Sequence, residues 1–107
     1  MKINVISPRN LVREMEKYKR ERDPAILVDL REPAEYRHRH WPEAVNYPSE
    51  WLEEKRLTGQ MPFSKSRRVI LYCSHGSTSM EMARDLGREG YRVATVNGGF
   101  AAMERFF

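Results

Sequence analysis

Two short hydrophobic runs, AILVD at residues 25–29, apolar up to its closing Asp29, and VILYC at 69–73, set the strongest limit on what this chain can fold into. A strand with one wet face alternates apolar and polar residues. A run that is apolar at every position belongs to a strand covered on both faces, the usual condition of a parallel sheet with helices above and below. Each run is followed by a segment with helical patterning, which points to an α/β fold. At 107 residues the chain has room for one compact domain and is too short for two of ordinary size. The expectation is one domain over 1–107, a three-layer α/β fold. Its central, mostly parallel sheet has about five strands and is flanked by helices on both faces.

The remaining elements follow from punctuation and periodicity. INVIS (3–7) reads as a first strand; Ser7 then caps a helix entered through Pro8. Leu11, Val12, Met15 and Tyr18 fall on the inner face of that helix, and Asp23-Pro24 is expected to end it. PAEYRHRH reads as a short helix entered through Pro33, AVNYP (44–48) as a short strand, and SEWLEEKRL (49–57) as a helix capped by Ser49 with Trp51 and Leu52 turned inward. In TSMEMARDLGREG (78–90), Thr78 and Glu81 have the spacing of a capping box, and Gly90 stands where a left-handed terminal cap belongs. Met80, Ala83, Leu86 and Gly87 form the expected inner stripe. RVATV (92–96) is the last strand, NGG a tight turn and FAAMERFF a closing helix.

Composition excludes several classes. Hydrophobic residues make up 40% and charged residues 32%, and no segment approaches the ~20 apolar residues that span a bilayer. No membrane association is expected. The start, MKINVISPRN, lacks the apolar core and small-residue cleavage site of a secretory signal, so the cytoplasm is the expected compartment. The net charge is +4, with basic clusters at KYKRER (17–22), RHRH (37–40) and KSRR (65–68). Acidic residues are interspersed and no aromatic RNA-binding signature accompanies the clusters. They read as solvated surface, and nucleic acid is not an expected partner.

The only cysteine, Cys73, closes the second apolar run and is followed by SHGSTS. A single cysteine makes neither an internal disulfide nor a thiolate metal cluster. Taken alone it is a small buried hydrophobe. Its position argues for more, because ligands of open α/β sheets bind at the carboxyl ends of the strands and a helix N-terminus lies a few residues on. A helix dipole contributes only ~0.3–1 kcal/mol, too little to make a thiolate the main form of an ordinary thiol. Several amides aimed at the sulfur would add ~1.5–3 kcal/mol each. Gly76 allows the positive φ such a loop needs, and the short side chains let backbone approach a ligand.

These residues resemble the rhodanese-like sulfurtransferases, over nearly the whole chain. VDLREPAEYRHRHWPEAVNYP (28–48) is similar to the family's first signature through Asp29, Arg31, Glu35, Tyr36, His40, Ala44, Asn46 and Pro48. CSHGSTS (73–79) resembles its active-site loop and VNGGFAAM (96–103) its Gly-Gly segment. The resemblance implies that Cys73 takes sulfane sulfur from a donor such as thiosulfate or a persulfide. Cys73 then passes it to cyanide, a cellular thiol or a protein acceptor. It implies stabilisation by the amides of Ser74, His75, Gly76, Ser77 and Thr78, with the hydroxyls of Ser77, Thr78 and Ser79 as further donors. It implies no organic cofactor and no metal. Ser74 and Thr78 stand where many members carry cationic residues; Arg39 and Glu43 replace family glycines, and Trp41 a common aliphatic residue.

Asp29 and Arg31 are expected to support nearby loops through an ion pair or hydrogen bonds. His75 is expected to be structural or to face solvent, and His38 and His40 have no convincing set of metal partners. Trp41 and Trp51 are expected to pack on the core. Two rival functions remain. A phosphatase or arsenate reductase needs an arginine six residues after the cysteine, where this chain has Ser79. A non-catalytic module that recruits a protein or RNA partner is the other.

Overall fold

The computed structural model of the chain describes residues 3–22 and 24–106. Strands β1 (Asn4–Ile6), β2 (Ile26–Asp29), β3 (Val45–Asn46), β4 (Arg68–Tyr72) and β5 (Arg92–Val96) form one sheet in the order β1-β5-β4-β2-β3. Every pairing is parallel, so the expectation of a mostly parallel sheet is met in full. The two apolar runs are neighbours at the centre: Ile26 to Asp29 pair in register with Val69 to Tyr72.

Side-chain alternation along β4 feeds two cores. Ile70 and Tyr72 pack with Leu11 of α1 (Pro8–Tyr18) and with Phe100 and Met103 of α5 (Gly99–Met103). Tyr36 of α2 (Pro33–His38) and the buried Trp41 join that side. Val69, Leu71 and Cys73 pack with Leu52 of α3 (Ser49–Leu57) and with Met82, Ala83 and Leu86 of α4 (Ser77–Arg88). The sheet is covered on both faces, as the unbroken apolar runs required.

Helix ends show where local signals hold. Ser7 caps α1 by accepting the Asn10 amide at 3.3 Å. The end of α4 is a Schellman turn, with Tyr91 N–H donating to the Leu86 carbonyl, Gly90 N–H to the Gly87 carbonyl, and Gly90 at φ +96°.

Other expectations need correction. Helix α1 ends at Tyr18, where packing stops and exposed Lys19 and Arg20 begin; Asp23, expected to terminate it, lies outside the described residues, as does Phe107 at the end of the closing segment. Val12 is 57% exposed, because it is turned about 100° from the fully buried Leu11. The same geometry leaves Trp51 37% exposed beside buried Leu52, its ring against Tyr47. Ser49 is the first helical residue of α3 and makes no cap, since Pro48 holds that place. In α4 the buried stripe is Ser79, Met82, Ala83 and Leu86, so Met82 rather than Met80 faces the sheet and Gly87 is half-buried. The closing segment is α5 followed by a 3-10 turn over Glu104–Phe106.

Candidate functional site

The order β1-β5-β4-β2-β3 places a topological switch between β4 and β2. The chain leaves β4 toward β5 on one side and leaves β2 toward β3 on the other, so a crevice opens at their carboxyl ends. Cys73 follows β4 there, and Leu30 and Arg31 follow β2. A cleft of about 270 Å³ is lined by Arg31, Glu32, Glu35, Ser49, Cys73 and the loop residues Ser74, His75, Ser77 and Thr78.

Cys73 is 6% exposed, and its sulfur takes the place of a helix cap. The expected capping box is absent: α4 starts at Ser77 after Gly76 in a left-handed conformation, with no side-chain cap. Instead Cys73 Sγ accepts the amide of Gly76 at 3.1 Å and that of Ser79 at 3.3 Å. Ser79 Oγ lies 3.4 Å from the sulfur and accepts its proton in the thiol form. The amides of Ser77 and Thr78, the first two of α4, have no acceptor among the described residues and stand at the cleft. Donors held in this way stabilise negative charge on the sulfur or on a group bound to it.

The loop is held from behind by the Gly98-Gly99 turn. Phe100 N–H donates to the Cys73 carbonyl at 2.7 Å and Ala101 N–H to the Ser74 carbonyl at 3.0 Å. With those carbonyls tied down, the loop amides are left for the cleft side. Gly99 has φ +62°, and a Cβ there would lie 2.5 Å from the Cys73 carbonyl oxygen and 2.8 Å from the nitrogens of His75 and Gly76. Only glycine permits this approach.

Asp29 and Arg31 form a buried pair beside the cleft. Arg31 Nε and Nη2 reach both Asp29 oxygens at 2.8–3.2 Å, the Arg31 amide also donates to Asp29, and Nη2 donates to the Arg39 carbonyl at 2.6 Å. The guanidinium lies 4.0 Å from the centre of the Phe100 ring. Burial works against its charge, but the hydrogen bond and attraction of Asp29 prevail and hold the Arg31 pKa above its ordinary value. Burial, aided by the Asp29 carboxylate, also pushes the Tyr72 phenol far above its usual range. Asn46 Nδ2 bridges the Asp29 and Arg31 carbonyls at 3.0 Å each.

A rhodanese-like domain model matches residues 9–105. This chain belongs to the rhodanese-like domain family. A rhodanese-related protein from Thermoplasma volcanium superposes with a TM-score of 0.77 at 21% identity, covering 96% of this chain and 92% of that one. A rhodanese-like domain protein from Staphylococcus aureus gives 0.73 at 22% identity, covering 94% and 91%. A rhodanese homologue from Thermus thermophilus gives 0.65 at 25% identity, covering 92% and 99%.

Within this rhodanese-like fold the structure brings Cys73, Ser74, His75, Ser77 and Thr78 to one cleft, with Gly76 and Ser79 on the sulfur. Of the five amides from Ser74 to Thr78 expected to serve the sulfur, only Gly76 donates to it; the other amide donor is Ser79, whose position at the third residue of α4 aims its N–H there. His75 is exposed, and His40 is occupied by the Tyr36 carbonyl at 2.8 Å and by stacking on the Tyr36 ring. Sequence reasoning missed Thr95, whose hydroxyl lies 2.7 Å from Ser79 Oγ. A lone threonine in the buried run RVATV was the available signal. It also missed Glu32, whose exposed position carries no pattern, and read Glu35 as part of the first signature without a place in the cleft.

Proposed function

We propose that this rhodanese-like protein is a sulfurtransferase with Cys73 as nucleophile and sulfur carrier. The observation that carries the reading is the sulfur itself, held by the Gly76 and Ser79 amides at the edge of a polar cleft. In the loading step the Cys73 thiolate attacks the outer sulfur of the donor and forms a new S–S bond. The donor's own S–S bond breaks, and its electron pair leaves as sulfite from thiosulfate or as a thiolate from an organic persulfide. An acceptor thiolate or cyanide then attacks the terminal sulfur and Cys73 departs as thiolate. Electrons balance without an external oxidant or reductant. The free amides of Ser77 and Thr78 are the groups we assign to the carried sulfur.

Charge at the cleft narrows the donor. Glu32 and Glu35 line it, and its one arginine among the described residues, Arg31, is committed to Asp29. A dianion such as thiosulfate meets carboxylates without a free cationic clamp, whereas an organic persulfide carries less charge at the reacting end. The same lack disfavours phosphatase or arsenate chemistry, in which an arginine must hold the equatorial oxygens.

The test is intact-mass spectrometry of reduced protein incubated separately with thiosulfate and with glutathione persulfide. One added sulfur is expected on Cys73, lost on addition of acceptor thiol, with the persulfide loading at least tenfold faster. Folded protein that gains no sulfur from any sulfane donor would refute the catalytic reading. Faster loading by thiosulfate would refute the donor assignment.

A further inference from the structure

At the amino ends of the strands, far from Cys73, sequence clusters that looked like separate patches of solvated surface converge. Arg68 from KSRR and Arg92 at the start of β5 are partners in the parallel register, side by side on one face of the sheet. Both guanidinium groups lie over the ring of Tyr18, at 5.6 and 5.7 Å from its centre, and Lys17 Nζ from KYKRER lies 5.5 Å from it. Like charges directly opposite one another on adjacent strands repel. Three cations around one phenol therefore need an explanation.

Burial makes the arrangement costlier. Arg68 is only 7% exposed, its Nε has no hydrogen-bond partner, and neither Arg68 nor Arg92 forms an ion pair among the described residues. Arg92 spends one donor on the Ser66 carbonyl at 2.8 Å. The ring face of Tyr18 offers a partial counter-charge, and the carbonyl end of α1 contributes about half a negative charge. Neither matches the full charge of Arg68, the buried one of the three, and a buried charge left unpaired is among the most destabilising features a domain can carry. A cavity of about 340 Å³ adjoins these groups, lined by Asn4, Tyr18, Arg68, Tyr91 and Arg92 and, among the described residues, by no carboxylate.

The geometry points to a binding site for a tetrahedral oxyanion, the phosphoryl group of a small phosphorylated molecule, held by Arg68 and Arg92. Paired guanidinium groups match the oxygens of such an anion through forked hydrogen bonds. The cavity is at the small end of the range for organic ligands, which suits a small metabolite. The five residues of β4 separate this site from the cysteine loop, about 16 Å at strand rise, so it stands apart from sulfur transfer. An oxyanion of the same shape and charge is also present as free sulfate.

The experiment titrates the isotopically labelled protein with inorganic phosphate and, separately, sulfate at constant ionic strength set by sodium chloride. Amide shifts are followed by NMR alongside melting temperature. Saturable shifts confined to Asn4, Tyr18 and residues 66–70 and 90–94, with a rise in melting temperature, are expected. Arg68→Met and Arg92→Gln should each weaken phosphate binding at least tenfold, and Cys73→Ser should leave it unchanged. Arg68→Met should melt no lower than wild type in phosphate-free buffer, because it removes an uncompensated charge. Arg92 is exposed, so its variant reports even where the buried one folds poorly. Preference for phosphate over sulfate assigns the site to phosphoryl ligands, and equal binding supports the shared oxyanion chemistry. Absence of saturation, or equal shifts in both arginine variants and wild type, would overturn the proposal. Loss of sulfur transfer has no bearing on any of these readouts.

Discussion

Thr95→Val tests whether the site depends on a second layer of hydroxyls. Ser79 Oγ has one hydrogen and three neighbours: Cys73 Sγ at 3.4 Å, the Gly76 carbonyl at 3.2 Å and Thr95 Oγ1 at 2.7 Å. While the sulfur is a thiol, its proton goes to Ser79, which donates to Gly76 or Thr95. When the sulfur is a thiolate, the Ser79 hydrogen can turn to it, and Thr95 can then donate to the vacated Ser79 lone pair. Valine keeps the shape of the fully buried Thr95 and removes that donor. The thiolate arrangement loses one neutral hydrogen bond, ~0.5–1.5 kcal/mol, or about a 2- to 13-fold slower reaction. Ser79→Ala removes the bond to the charged sulfur itself, ~1.5–3 kcal/mol, or about 10- to 150-fold.

The assay is the second-order rate of Cys73 alkylation by iodoacetamide at fixed pH, a readout independent of any sulfur donor. Thr95→Ser restores a hydroxyl and should restore the rate. A folded Thr95→Val protein that reacts within twofold of wild type would show that Thr95 does not position Ser79. An unchanged Ser79→Ala would remove the hydroxyl from the account altogether.

Gly99→Ala must force φ +62° on an L-residue and move the backbone of Cys73, His75 or Gly76, so it should cost at least ~2 kcal/mol, seen as a fall in melting temperature. Its residual folded fraction should alkylate more slowly. Glu43→Gly should do the opposite: Glu43 sits at φ 74°, the one positive-φ residue other than glycine among the described residues, in a place where the family carries glycine. Relief of that conformation, less the added chain entropy, should raise stability by ~0.5–1 kcal/mol in thermal melts with no change in Cys73 reactivity. Tyr72 holds its proton far above the usual range, chiefly through burial. A raised folded pKa contributes stability that is fully present below the unfolded value of about 10 and declines as pH rises past it. Denaturant melts should therefore show no Tyr72-dependent slope from pH 7 to 9 and a loss above about 10, and Tyr72→Phe should flatten that loss.

By itself the sequence determined the parallel sheet, because AILV of the first run and VILYC carry no polar position facing solvent and such strands need cover on both faces. It determined the caps at Ser7 and Gly90, whose signals are local, and it marked CSHGSTS as the loop at the carboxyl end of the central strand. Tertiary structure decided everything that depends on the phase of a helix or on contact between distant segments. The inner face of α4 follows from where Ser79 is tied, by its amide to Cys73 and by its hydroxyl to Thr95, and no pattern within the helix announces that tie. Gly99 reads as turn punctuation until its place against the Cys73 carbonyl is known. Lys17 and Arg68 read as separate patches of solvated surface, and Arg92 as the start of a strand, until the sheet brings them around one tyrosine. Burial patterns and caps act over a few residues and are written locally, whereas charge and hydrogen-bond partners are assigned only when strands and helices pack.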